Sequence, residues 1–208
     1  DFSQNDLSWV VNSYTLTFGG FLLLGGRLAD YLGRRRVFMI GMALFAVASL
    51  AGGFAQSETW LISARAVQGL GAAIASPAAL SIITTTFPEG QERNKALGIW
   101  GAVAGAGGAA GVLLGGVLTE WAGWEWVLFV NVPIGAFIVW QAPMRLVEST
   151  ADDESDRTLD LPGAVTVSAG AALLVFAMVD AVNVGWDSAQ TVWRLVGAAA
   201  LLVAFVVV

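Results

Sequence analysis

The sequence predicts an all-α membrane protein, and three observations carry this prediction. Apolar residues make up 57% of the 208 residues and charged residues only 12%, about half the charged fraction of a soluble domain. Seven apolar stretches reach or approach the length of a membrane-spanning helix, which is about 20 residues. The loops between these stretches alternate between basic and non-basic, as the positive-inside rule describes for multi-pass proteins.

The composition also narrows the function classes. The net charge of −6 comes mainly from one acidic loop and no basic stripe is present, so we expect no nucleic-acid binding. The sequence contains no Cys and no His, which removes thiolate and imidazole chemistry and the commonest metal ligand. We therefore expect no metal site, no cofactor and no enzyme activity.

Each predicted span is a predominantly apolar stretch. The third is long and contains Pro77, so we expect it to bend or to run past the membrane. Asp160 followed by Pro162 is a start signal for the sixth. The chain opens without a signal peptide pattern and closes inside an apolar run, so we expect both ends to be cut ends of a longer polypeptide. In order, the predicted spans are Trp9–Leu28, Val37–Phe54, Trp60–Phe87, Ala96–Leu118, Trp126–Leu146, Leu161–Val182 and Val192–Val208.

The distribution of basic residues predicts the orientation of these spans. Three consecutive arginines lie in the first loop (29–36), and two basic residues lie in each of the third (88–95) and fifth (145–160). The second, fourth and sixth loops carry none, so the odd-numbered loops are predicted to be cytoplasmic. Tryptophans cluster at the opposite ends of the spans, as in an aromatic belt: Trp9, Trp60, Trp121, Trp124, Trp126, Trp186 and Trp193.

The fifth loop divides the chain into three parts. Residues 1–147 form a five-helix N-terminal bundle, 148–160 form an acidic cytoplasmic linker, and 161–208 form two further helices, the last of them truncated. We interpret the linker as a solvated segment rather than a site, because it concentrates carboxylates: Glu148, Asp152, Asp153, Glu154 and Asp156.

Arg65 is the strong charge that stands out within the spans, about five residues into the third. An arginine in the hydrocarbon region costs roughly 3 kcal/mol or more, so we expect it to face a cavity or a partner. Gln68 follows one turn later on the same face. The alternative is that Arg65 snorkels to the outer interface. We interpret Asp180 as interfacial, and no carboxylate in these spans is an obvious partner for Arg65.

Two further features can each be interpreted in two ways. Polar residues in the outer half of the first span either line a water-filled cavity or form interhelical hydrogen bonds. They are Asn12, Ser13, Tyr14, Thr15 and Thr17. The fourth span is rich in small residues at four-residue spacing, which suits close helix packing or a gating role. Its three series are Gly101, Gly105 and Ala109; Gly107, Gly111 and Gly115; and Gly108, Val112 and Gly116.

The basic loop, Gly26–Arg36, combines glycines with opposite charges. Asp30 lies four residues before Arg34, and Arg35 and Gly33 adjoin that arginine. A carboxylate facing guanidinium groups can form a charge-assisted clamp that holds one conformer. The alternative is that this loop only anchors the topology.

Four motifs in order resemble the major facilitator superfamily. Gly26–Arg35 is similar to its loop between helices two and three, and Leu61–Gly71 to its helix-four motif. Gly107–Gly116 resembles the helix-five motif of antiporters, and Trp124–Gly135 the start of helix six in fourteen-helix drug/proton antiporters. The resemblance implies family helices two to eight: an N-terminal bundle without its first helix, plus two linking helices.

The resemblance implies a multi-pass bacterial inner-membrane protein that exports hydrophobic or cationic compounds in exchange for protons. The expected energy source is the proton motive force. Arg65 and Gln68 would belong to the coupling site or substrate cavity, and the missing first helix and C-terminal half would complete the transporter. Val112 stands where the antiporter motif usually has Pro, which favours a symporter or uptake carrier instead. Two different function classes, a membrane-embedded enzyme and a structural or sensory membrane protein, compete with transport.

Overall fold

The computed structural model describes residues 4–150 and 161–207, and every regular element in this part of the chain is an α-helix. The all-α prediction is therefore confirmed. The helices are α1 (Gln4–Leu32), α2 (Arg34–Gly53), α3 (Glu58–Thr86), α4 (Gln91–Trp121), α5 (Glu125–Phe129), α6 (Asn131–Arg145), α7 (Leu161–Val184) and α8 (Ala189–Val207).

Within the described residues, six segments are long and apolar enough to cross a membrane. They are α2, α3, α4, α5 together with α6, α7 and α8. The first predicted span, Trp9–Leu28, is not among them, because the outer half of α1 is polar. Its 29 residues nevertheless lie alongside α3 and α7, two of the six.

Two element boundaries differ from the prediction. The loop expected over 29–36 is reduced to Gly33, whose φ of 105° is a conformation that favours glycine, and 91–95 belong to α4. The fifth span is divided at Val130 into α5 and α6. Pro133 explains the division, because it has no N–H to donate to the carbonyl of Phe129 four residues earlier. In contrast, α3 continues through Pro77 without interruption.

Glycines bring α3 close to both of its neighbours. A Cβ on Gly25 of α1 would lie 2.2 Å from the carbonyl oxygen of Ala73, and a Cβ on Gly71 would lie 2.6 Å from the backbone nitrogen of Phe45 on α2. Such small-residue contacts are typical of membrane helix interfaces. The successive contacts show that α1 and α3 run parallel and that α2 runs antiparallel to both.

The last two helices form an antiparallel pair that packs on α1. Gly20 of α1 meets Ala172 of α7, where an added Cβ would lie 2.8 Å from the alanine Cβ. The helix directions place the turn at Gly33, the 87–90 loop and the 146–150 segment at one end of the molecule. This arrangement agrees with the predicted sidedness of the three basic loops.

Helix α4 stands apart from the bundle. None of its 31 residues is buried, and in the described part of the chain it contacts only α3 and α5, its neighbours along the chain. Its long apolar surface therefore faces outward.

Candidate functional site

The basic turn between α1 and α2 is joined to the segment that follows α6. The backbone N–H of Arg34 donates to the carbonyl of Ser149 at 2.9 Å, and that of Arg35 donates to Oε1 of Glu148 at 3.1 Å. The Arg35 guanidinium also donates to the carbonyl of Leu146 at 3.1 Å. Residues 111 to 116 positions apart along the chain thus form one compact site, which we call the cytoplasmic site because the basic turn is predicted to face the cytoplasm.

The charges of this cytoplasmic site are shared between both segments. Arg34 pairs with Asp30 at 3.1 Å and donates to the carbonyl of Thr150 at 3.3 Å. Arg35 and Arg36 both lie near Glu148, with nitrogen–oxygen distances of 3.5 and 3.6 Å. The predicted pairing of Asp30 with Arg34 is therefore present as a geometric feature.

Glu148 corrects the interpretation of the acidic linker. We predicted a solvated segment from residue 148 onward, but the Glu148 side chain is only 24% exposed and is held by the arginines of the basic turn. The reason is local: three adjacent guanidinium groups and an uncapped helix start attract one carboxylate. The other predicted linker carboxylates, at positions 152, 153, 154 and 156, lie outside the described residues.

A second cluster surrounds Arg65 in the outer half of the bundle. Arg65 Nε donates to the carbonyl of Val10 at 3.1 Å, and its guanidinium carbon lies 4.4 Å from the centre of the Tyr14 ring. Such a cation–π contact is favourable where the cation is partly desolvated. Another guanidinium nitrogen donates to Gln68 Oε1. The side chain is thus held between α1 and α3.

Gln68 extends this network to α2. Its side chain is 1% exposed, and its Nε2 donates to Ser49 Oγ at 2.5 Å. Arg65 and Gln68, which we predicted to share one face, are therefore directly bonded. Among the described residues no carboxylate pairs with Arg65, so its partners are a carbonyl, an amide and an aromatic ring.

The polar residues of the first span show a mixture of the two predicted arrangements. Thr17 donates to the carbonyl of Ala66 on α3 at 2.8 Å, an interhelical hydrogen bond. Asn12 instead lines an open cavity of about 370 Å³ between α1 and α7, together with Asn183.

The glycines of the antiporter-like motif lie away from both clusters. Around Gly107, Gly111, Gly115 and Gly116, an added Cβ would meet nothing within 4 Å. The structure therefore does not bring these glycines into contact with another helix, and their role stays a prediction. Arg65 lies near the start of α3, and the basic turn lies at the opposite end of the bundle, so these two sites are also separate.

Comparison with known proteins identifies the family. The model of the Major Facilitator Superfamily matches residues 1–208. The chain belongs to this superfamily. It is 49% identical over 207 residues to the cephamycin export protein CmcT of Amycolatopsis lactamdurans, covering the whole of this chain and 43% of that protein. It is 44% identical over 210 residues to the puromycin resistance protein pur8 of Streptomyces alboniger, with 100% of this chain and 41% of that protein covered.

A third relative is more distant. The multidrug resistance protein Stp of Mycobacterium tuberculosis is 38% identical over 192 residues, with 92% of this chain and 35% of that protein covered. The chain therefore spans about two fifths of the length of these relatives. Together with the six spanning helices, the bacterial relatives make this major facilitator chain a multi-pass bacterial membrane protein.

Sequence reasoning missed one charged pair in this major facilitator chain. Asp180 of α7, interpreted above as interfacial, is ion-paired with Arg194 of α8. The Arg194 guanidinium lies 4.8 Å from the centre of the Phe176 ring, which itself contacts Trp9 of α1. The sequence contained a signal for this pair, because Arg194 is the third residue of the predicted seventh span. Arg65 is thus not the single exception, because Arg194 is also held by side chains of the neighbouring helix α7.

Proposed function

We propose that the complete protein exports hydrophobic or cationic antibacterial compounds from the bacterial cell in exchange for protons. The observation that carries the proposal is the likeness, over essentially the whole chain, to export and resistance proteins at 38–49% identity. Those relatives differ in the compound for which they are named, so the proposal covers a class of substrate rather than one drug.

The Arg65 cluster supports the proton-coupled form of this proposal. Arginine does not release its proton in proteins, so it cannot relay protons itself. A fixed cation between α1 and α3 can instead stabilise the charged form of a facing carboxylate, which then exchanges its proton for substrate. The carboxylate would be supplied by polypeptide outside residues 1–208, and alternating access requires both halves of the transporter.

The test measures transport by the full-length polypeptide in an efflux-deficient bacterium. Cells preloaded with puromycin or a fluorescent lipophilic cation should release it faster than cells with an empty vector. A protonophore should abolish the difference. Arg65→Gln should lower release at least about tenfold, a loss of roughly 1.4 kcal/mol, whereas Lys95→Gln, which removes an exposed cytoplasmic cation, should not. If release were fast but unaffected by the protonophore, proton coupling would be refuted and export itself would stand.

The competing transport mode is uptake, and Val112 in place of the usual Pro favours it. An uptake carrier would make the same cells accumulate more of a solute than control cells. Greater accumulation of every compound tested, with no gain in resistance, would replace export by uptake.

We further propose that the cytoplasmic site acts as a conformational clamp. The segments on either side of it are tied together by Asp30, Arg34, Arg35 and Glu148, so opening at this end must break several charge-assisted hydrogen bonds. Asp30→Asn should lower resistance while leaving the amount of membrane-inserted protein near normal. Asp187→Asn, at the opposite end, should not. If resistance were unchanged in Asp30→Asn, the clamp would be refuted and the basic turn would serve only to anchor the topology.

A further inference from the structure

Helices α1 and α7 enclose a wedge-shaped groove at the cytoplasmic end of the molecule. They touch at Gly20 and Ala172 and diverge towards the cytoplasm. A cavity of about 320 Å³ opens there between Leu24 and Arg27 of α1, Val167 of α7 and Phe205 of α8. The groove therefore lies between this contact and the end of the molecule that is predicted to be cytoplasmic.

A second cavity of about 320 Å³ continues the groove along α7. It shares Leu24 and Ala164 with the first and reaches Ala172, about 12 Å further along the helix at 1.5 Å per residue. Small side chains leave this space unfilled. Ser168 is among its lining residues. The Ser168 hydroxyl is buried and has no hydrogen-bond partner among the described residues.

Arg27 supplies the charge at the open end. It is exposed, and within residues 4–150 and 161–207 it forms no ion pair. Its acidic neighbour in the groove, Asp30, is engaged by Arg34, and the next two arginines are engaged by Glu148. Among the described residues, the guanidinium of Arg27 therefore has no carboxylate partner.

We propose that this groove binds an anionic phospholipid of the cytoplasmic leaflet. The phosphate would accept hydrogen bonds from Arg27, because a guanidinium group suits bidentate phosphate binding. One acyl chain would follow Leu24 towards Ala172. Basic pockets between membrane helices on the cytoplasmic side are suited to such headgroups.

The bound lipid would join the N-terminal bundle to the α7–α8 pair. Two cavities lie between the cytoplasmic halves of α1 and α7, so an acyl chain would fill space between these helices. The inference does not depend on which compound is transported, and it holds whether the complete protein exports or imports.

The test compares two lipids with identical acyl chains by native mass spectrometry of the full-length protein. Phosphatidylglycerol should bind about fivefold more tightly than phosphatidylcholine, the effect expected for one well-placed arginine. Arg27→Gln should remove this preference, Arg27→Lys should keep most of it, and Lys95→Gln should leave it unchanged. Ala164→Leu should weaken binding of both lipids, because the added side chain fills the groove.

Three results would overturn the proposal. The first is an undiminished preference for phosphatidylglycerol in Arg27→Gln. The second is equal binding of the two lipids by the unaltered protein. The third is competition by glycerol 3-phosphate at concentrations similar to those of the lipid, which would show that the acyl groove contributes nothing. Should Arg27→Gln fail to fold, the Ala164→Leu and Arg27→Lys variants decide the question by the same measurement.

Discussion

Glu148 caps the first turn of α2, although it lies 113 residues beyond Arg35 along the chain. Its carboxylate accepts a hydrogen bond from the backbone N–H of Arg35 at 3.1 Å. The first amides of a helix have no intrahelical partner, and the N-cap residue of α2 is Gly33, which has no side chain to accept from them. A carboxylate at this position also interacts favourably with the positive end of the helix dipole. The cap is therefore supplied by a distant segment, which fixes the end of α6 to the start of α2.

Gly33→Ala should destabilise this junction. A Cβ on residue 33 would lie 2.6 Å from Oε1 of Glu148, and the φ of 105° is unfavourable for any residue with a Cβ. We expect the free energy of unfolding of the full-length protein to fall by about 1 to 3 kcal/mol, measured by thermal or denaturant unfolding in detergent. Gly26→Ala is the matched control, since its Cβ would meet Pro77 at an ordinary 3.6 Å. Equal effects of the two variants would contradict the prediction.

The sequence predicted the pairing of Asp30 with Arg34 at this junction, but it did not predict the contact of Glu148 with Arg35. Asp30 and Arg34 are four residues apart in the sequence, so their pairing follows from spacing alone. Glu148 belongs to a run of acidic residues that is typical of a solvated linker, and its partner Arg35 is 113 residues away. Such long-range pairing depends on where α6 ends in space, which local sequence patterns do not specify.

Gly69→Ala should separate α1 from α3. An added Cβ would lie 2.2 Å from Thr17 Oγ1 and 2.4 Å from the Tyr14 carbonyl oxygen, so the helices would have to move apart. Overpacking of this kind costs about 1 to 3 kcal/mol and would also displace Tyr14 from the Arg65 guanidinium. The measurement is the unfolding midpoint together with the transport rate. Gly98→Ala, where nothing lies within 4 Å, should lower neither. A harmless Gly69→Ala would show that this close approach is not maintained.

Helix packing shows the same difference between local sequence patterns, which can be recognised, and distant partners, which cannot. The glycine-rich pattern of α4 was conspicuous in the sequence, yet the described structure places no other helix against its glycines. Gly25, Gly41 and Gly69 lie in segments with fewer glycines and form very close contacts. A small residue permits close approach, but the presence of a partner helix decides whether the approach occurs.

The two ends of the molecule should be distinguishable by chemical labelling. Gln56 lies in the turn between α2 and α3, and Glu89 lies between α3 and α4, at the opposite end; both are exposed. Since residues 1–208 contain no Cys, single cysteines introduced there report without background from this region. In intact cells a membrane-impermeant maleimide should label Gln56→Cys but label Glu89→Cys only after permeabilisation. The reverse pattern would invert the topology and contradict the assignment of the basic loops to the cytoplasm.

The ion pair between Asp180 and Arg194 should stabilise the packing of α7 on α8, because each charge compensates the other. The two side chains are 16% and 28% exposed, so removing one partner leaves the other charge poorly solvated within the membrane. We expect Asp180→Asn and Arg194→Gln each to lower the free energy of unfolding by roughly 2 kcal/mol, below the value of about 3 to 5 kcal/mol for a fully buried pair. Asp187→Asn, an exposed carboxylate in the adjoining turn, should change it little.

A double-mutant cycle tests whether the two charges act on each other. In the double variant both charges are absent, so neither is left without a partner, and its loss of stability should be smaller than the sum of the single losses by about 1 to 3 kcal/mol. Arg194 also lies over the Phe176 ring, and this contact is lost whenever Arg194 is replaced. We therefore expect the double variant to remain less stable than the unaltered protein. Strict additivity of Asp180→Asn and Arg194→Gln would show that the pair contributes nothing as a pair and that each residue acts through its other neighbours.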